Sequence, residues 1–128
     1  MSTLVQLLQD SVNTQPEAEA IVYKDRRVSY HELWVDVCSI AGHLRNKGLK
    51  IGDRVGIYVE NSPEYIAIYY GVLAAGGVAV GLNTAAKARD ILNWLDHCGA
   101  SWVFLGAGQQ ELSLIVNSID KNMRLVLV

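Results

Sequence analysis

Short apolar segments alternate with amphipathic ones along nearly all of this 128-residue chain, and that alternation restricts what it can become. The most telling segment is Val55-Gly56-Ile57-Tyr58-Val59, which is apolar throughout. A strand without polar alternation belongs in the interior of a sheet covered on both faces. The segments on either side read as helices, and the same sequence of strand and helix recurs to the last residue. From residue 29 onward the order is αβαβαβαβ with short loops, which predicts an α/β fold. Its mostly parallel sheet is expected to carry helices on both faces.

The helices announce their own ends. Thr3-Leu4-Val5-Gln6 fits a capping box, and Leu4, Leu7, Leu8 and Val12 share one face of the helix that follows, which Pro16 ends. Two short strands, 20–23 and 27–29, read as a hairpin around Lys24-Asp25-Arg26, with its basic residues solvated. Ser29-Tyr30-His31-Glu32 is a second capping box. Behind it Leu33, Val37, Ile40, Ala41 and Leu44 recur at helical spacing, with Arg45 and Lys47 in the last turn and Gly48 closing the helix. Ser62-Pro63-Glu64 starts a third helix, apolar nearly all round and so expected to be buried by more than one sheet face. Gly76-Gly77 closes it, and 78–82 reads as a short buried strand. A fourth helix over 88–98 points Ile91, Leu92 and Leu95 inward, with Gly99 behind it. A strand over 101–105 follows, then a helix over 109–119 with Leu112, Ile115, Val116 and Ile119 on one face, and last a strand over 124–128.

Composition excludes several functions. The net charge is −2 and no basic patch exists, so nucleic acid is not an expected partner. The two cysteines, Cys38 and Cys98, form no C-x-x-C pair and are expected as reduced, buried thiols on helix faces. With no signal-peptide pattern at the start, the reading is a cytoplasmic setting. Residues 65–86 carry no charge and include Gly77-Val78-Ala79-Val80-Gly81, a G-x-x-x-G pattern. The glycine pair inside the stretch and the charges flanking it favour a helix-turn-strand over a membrane span.

Candidate sites are few. Gly106-Ala107-Gly108 lies between a strand and a helix, as a dinucleotide-binding turn would, but Glu111 fills the third small position and no acid closes the next strand. No P-loop and no G-x-S-x-G elbow is present. His31, His43 and His97 lie on three different helices without partners at metal-ligand spacing. Trp34, Trp94 and Trp102 are expected to pack. The reading assigns no catalytic, cofactor-binding or metal residue.

Three passages in order resemble the N-terminal part of the adenylate-forming, AMP-binding enzymes: acyl-CoA synthetases, adenylation domains and luciferases. They are Val28-Ser29-Tyr30-His31-Glu32-Leu33; Gly48-Leu49-Lys50-Ile51-Gly52-Asp53-Arg54-Val55 with Glu60-Asn61-Ser62-Pro63-Glu64; and Val72-Leu73-Ala74-Ala75-Gly76-Gly77-Val78-Ala79-Val80-Gly81-Leu82-Asn83. The helix and turn over 90–101 fit what comes next. Gly81 stands where the family commonly has proline and no proline follows Asn83, so a looser loop is expected there. Asn83 in place of aspartate looks more like the acyl-CoA ligases than the amino-acid-activating branch.

The resemblance implies an ATP-dependent ligase that makes an acyl-adenylate and passes the acyl group to a thiol such as CoA. It also implies that ATP, Mg²⁺ and CoA serve the parent protein, while this piece binds none of them. Residues 1–128 are then the N-terminal portion of an AMP-binding domain, cut before its phosphate-binding loop, inactive alone and prone to self-association at the cut edge. The expected partners are the remainder of its own polypeptide and, in the parent, a carboxylic acid, with no membrane span. The alternative is a self-contained α/β module that binds a nucleotide or a protein.

Overall fold

The computed structural model describes residues 3–106 and 124–128. The chain divides into two compact units, Met1–Ile51 with Asn61–Gly77, and Gly52–Glu60 with Val78–Val128.

The first unit holds α1 (Thr3–Thr14), β1 (Glu19–Tyr23), β2 (Arg26–Ser29), α2 (Tyr30–Asn46) and α3 (Pro63–Ala74). Its core joins Leu8 and Val12 of α1, Leu33 and Val37 of α2 and Ala67 of α3, with Ile21 and Val28 of the hairpin against them. The α1 stripe is not the expected one. Val5, Leu8 and Val12 are buried, whereas Leu4 and Leu7 are 44% and 59% exposed. Two apolar stripes overlap on this helix, and only the packing partners choose between them. The expected capping box on α1 is also replaced: Thr3 is already helical, and the Gln6 amide donates forward to Asp10 at 3.1 Å.

The other caps form as read. The Glu32 N–H donates to the Ser29 hydroxyl at 3.1 Å, and the Ser29 N–H donates to the Glu32 carboxylate at 3.1 Å. Such a cap contributes about 1 kcal/mol. Ser62 caps α3 with Pro63 behind it. Both helices end in a Schellman arrangement. The Leu49 N–H reaches the Leu44 carbonyl and the Gly77 N–H the Val72 carbonyl, each at 2.9 Å. Gly48 and Gly76 sit between them at φ 97° and 92°, where a Cβ would clash with the following carbonyl. No residue of α3 is exposed. Within its unit α3 packs on the helices α2 and α1.

The hairpin turns through Lys24 and Asp25, with Tyr23 opposite Arg26 and Lys24 at φ 54°. Its arginines are not merely solvated. Arg26 pairs with Glu64 at 2.6 Å and Arg27 with Glu19 at 2.8 Å. Arg45 reaches across from α2 and donates to the Ala74 carbonyl at the end of α3, where a cation suits the helix dipole.

Two of these carboxylates tie this unit to pH. The Ser29 backbone N–H, with the Ser29 hydroxyl behind it, holds Glu32 below the usual 4.5. The hydrogen bond from Arg26 does the same for Glu64. A carboxyl group depressed by folding stabilises the native state above its unfolded value and loses that contribution as pH falls through the folded one. Stability is therefore expected to decline as pH drops below about 4.5. Glu64→Gln should flatten that decline in urea midpoints measured across the acid range; an unchanged slope would deny the Arg26 pairing its role.

The second unit holds β3 (Arg54–Tyr58), β4 (Val78–Gly81), α4 (Ala88–Cys98), β5 (Trp102–Leu105) and β6 (Arg124–Leu127). The strands form one sheet in the order β4-β3-β5-β6, and all neighbours are parallel. The α/β class and parallel sheet agree with the sequence reading, as do the leading helix and hairpin. On one face Tyr58, Leu82, Val103 and Leu105 pack against Ile91 and Leu95 of α4. Gly56 permits this, since a Cβ there would lie 2.7 Å from a Leu95 methyl. Val55, Ile57, Trp102 and Phe104, which alternate with that face, are buried as well. Both rows of side chains on the central strands are thus buried, as an unbroken apolar run leads one to expect.

The strand read as buried over 78–82 is instead an edge. Val78 is 45% exposed, because among the described residues β4 pairs with β3 alone. The Gly77–Gly81 pattern leads into and through this strand, and among the described residues no helix is long and apolar enough to cross a membrane. The helix expected over 109–119 lies outside the described residues.

Candidate functional site

A parallel sheet concentrates loops at the carboxyl ends of its strands, and the natural crevice lies where successive connections depart to opposite sides. Here that point falls between β3 and β5. The chain leaving β3 returns as β4 on one side, and the chain leaving β5 returns as β6 on the other. The edge is built from Val59 and Glu60 after β3, Leu82 to Lys87 after β4, and Gly106 after β5. The Gly106 N–H donates to the Tyr58 carbonyl at 2.9 Å and continues the ladder one step past the strands.

The loop after β4 is held from three directions. The Leu82 N–H donates to the Ile57 carbonyl at 3.0 Å. The Asn83 side-chain oxygen accepts the Ala85 N–H at 2.9 Å, and its carbonyl accepts the Ala86 N–H at 3.1 Å. The Tyr58 hydroxyl reaches over from the last residue of β3, with the carbonyls of Thr84 and Ala86 at 2.9 and 3.1 Å. Tyr58 is 5% exposed, so its ring belongs to the core while its oxygen serves the loop. The looseness expected from the missing prolines is therefore countered by hydrogen bonds. The sequence contained a signal for this: Tyr58 carries the one polar side-chain atom in the run 55–59.

Other residues singled out earlier lie elsewhere. His31 and His43 are exposed on α2 and His97 on α4. Among the described residues no three His, Cys, Asp or Glu side chains gather in a way that suits a metal ion. Cys38 is exposed, not buried, because it lies beside the buried stripe of Leu33, Val37, Ala41 and Leu44 and not within it. Cys98 is half-buried and donates to the Leu95 carbonyl at 3.6 Å. Trp102 packs in the core with the Arg124 guanidinium 4.9 Å from its ring, but Trp94 is 42% exposed. Trp94 lines a shallow cavity of about 350 Å³ with Val80, Leu82, Asn83, His97 and Cys98. Gly106 is not at positive φ and has room for a Cβ, 3.6 Å from its nearest neighbours, so its backbone does not demand glycine. The remainder of the Gly106-Ala107-Gly108 turn, with Glu111, lies outside the described residues.

A sequence profile of the family described as AMP-binding enzyme matches residues 8–127. A long-chain-fatty-acid–CoA ligase of Bacillus subtilis (strain 168) is 37% identical over 89 residues, covering 70% of this chain and 16% of that protein. Gramicidin S synthase 2 of Brevibacillus brevis is 32% identical over 120 residues, covering 94% of this chain and 3% of that protein. Among solved structures, the inhibitor-bound N-terminal domain of FACL13 from Mycobacterium tuberculosis superimposes with a TM-score of 0.89 at 25% identity. It covers all of this chain, which spans 34% of that one. The chain thus corresponds to a small part of each of these proteins.

Proposed function

Because this chain belongs to the AMP-binding enzyme family, we propose that it serves as scaffold in an ATP-dependent ligase that activates a carboxylic acid and passes the acyl group to the thiol of CoA. In that reaction the acid's carboxylate oxygen attacks the α-phosphorus of ATP and pyrophosphate leaves. The thiol then attacks the acyl carbon and AMP leaves. Both steps develop negative charge on oxygen, which preorganised N–H groups and cations stabilise. Among the described residues no carboxylate cluster suits Mg²⁺. The contribution assigned to them is the parallel sheet, whose carboxyl edge borders the crevice, and the loop fixed on that edge by Asn83 and Tyr58.

The observation that carries this reading is the family match across residues 8–127. The 37% identity to a fatty-acid–CoA ligase favours CoA as acceptor, as does Asn83. The kinship with gramicidin S synthase 2 supports a second reading, in which an amino acid is activated.

The test is acid-dependent exchange of pyrophosphate into ATP by the polypeptide that carries this chain. Aliphatic and aromatic monocarboxylic acids should drive exchange, and CoA should then release AMP with formation of a thioester. Exchange driven by α-amino acids, with no release by CoA, would establish the second reading. No exchange with either class would overturn both. The 128-residue chain by itself is expected to give no heat with MgATP in calorimetric titration. Tight binding there would restore the self-contained nucleotide-binding module.

A further inference from the structure

We propose that Tyr58 is a positioning residue. Its hydroxyl fixes the loop over residues 83–86 against the carboxyl end of β3, and so sets one wall of the crevice between β3 and β5. This rests on the crevice being the place where the acid is activated.

The geometry is specific. Tyr58 ends the second strand of the sheet order, directly beside the point where the connections diverge. Its ring is locked among Leu82, Ile91, Leu95, Val103 and Leu105, which leaves the hydroxyl little freedom of its own. A phenol carries one proton, and both acceptors within its reach, the Thr84 and Ala86 carbonyls, belong to the same short loop. From Asn83 to Lys87 the loop contains neither proline nor glycine, so its conformation is held by hydrogen bonds and not by a restricted backbone. The Asn83 side chain organises the loop internally, through the Ala85 N–H. Tyr58 supplies the attachment from the loop to the sheet through a rigid arm whose root is in the core. A loop held in this way presents one wall to a ligand, whereas a free loop must first be ordered by it. The ordering then appears as weaker apparent affinity, in proportion to the fraction of molecules already ordered.

Tyr58→Phe removes the oxygen and leaves the ring packing in place, so folding is retained. In hydrogen exchange, the amides of Ala85 and Ala86 should exchange about fivefold faster in the variant, the factor that one hydrogen bond of ordinary net strength provides. The amides of β3 should be unchanged. In the polypeptide that carries this chain, the KM for the carboxylic acid should rise about fivefold while kcat changes less than about twofold. A purely structural tyrosine would lower the melting temperature without moving KM. Unaltered exchange at Ala85 and Ala86 would overturn the tether. Faster exchange with an unmoved KM would overturn the positioning role. A wild-type polypeptide without acid-dependent exchange would count against the ligase reading alone, and the amide measurement would still decide whether the tether exists.

Discussion

Gly71→Ala is expected to destabilise the helical unit by about 1–3 kcal/mol, although helix propensity alone would favour alanine by about 1 kcal/mol. Gly71 lies in the second half of α3, where that helix crosses α2. A Cβ at this position would stand 2.6 Å from Cγ2 and 2.8 Å from Cβ of Ile40, and 3.4 Å from the Val37 carbonyl oxygen. The Cβ of Ile40 is fixed to the backbone of α2, so no rotamer change relieves the 2.8 Å contact with it. The helices must move apart, and the apolar contacts on either side of Gly71 loosen with them. Valine should cost more than alanine. Urea titrations of Gly71→Ala, Ile40→Ala and the double variant test the argument. Ile40→Ala removes the Cγ2 clash but keeps the Cβ clash, so the double variant should recover part of the loss. An alanine variant as stable as the wild type would mean that the helices have room to spare.

The second large effect separates two isoleucines six residues apart in sequence. Ile57→Ala should cost about 2–5 kcal/mol, and Ile51→Ala less than about 0.5 kcal/mol. Ile57 is fully buried in β3 and lies opposite Gly81 on one side and Phe104 on the other. Truncation there opens a cavity in a strand that is hydrogen-bonded along both edges, where little can collapse to fill it. Ile51 is 91% exposed. Urea midpoints read by circular dichroism should separate the two variants plainly. Similar losses would mean that the burial of β3 is not as described.

The resemblance to the adenylate-forming enzymes rested on passages that are mostly local devices: a helix cap at Ser29, a turn at Gly52, a second cap at Ser62 and a helix-to-strand turn at Gly76. The family match over residues 8–127 agrees with it. The site was less legible. Asn83 stood out in the sequence for what it replaced, and its bond to the Ala85 N–H is local. The Tyr58 tether was hidden because its acceptors, the Thr84 and Ala86 carbonyls, lie 26 and 28 residues away. No periodicity in 55–59 encodes such a pairing. Cys38 and Trp94 were misplaced for a related reason. Each sits beside a buried stripe, one step of about 100° from it, and a helix whose partner is unknown leaves that step undecided.

Among the described residues, what the amino-acid order determined by itself is the set of elements and most of their ends. Ser29, Gly48, Ser62 and Gly76 act through hydrogen bonds spanning three to five residues, which form wherever the chain folds locally. What tertiary structure decided is the strand order β4-β3-β5-β6, the choice of Val5 over Leu4 and Leu7 as the buried face of α1, and the loop that Tyr58 holds. Those outcomes depend on residues far apart in sequence, and their energies exist only once the apolar faces have found each other.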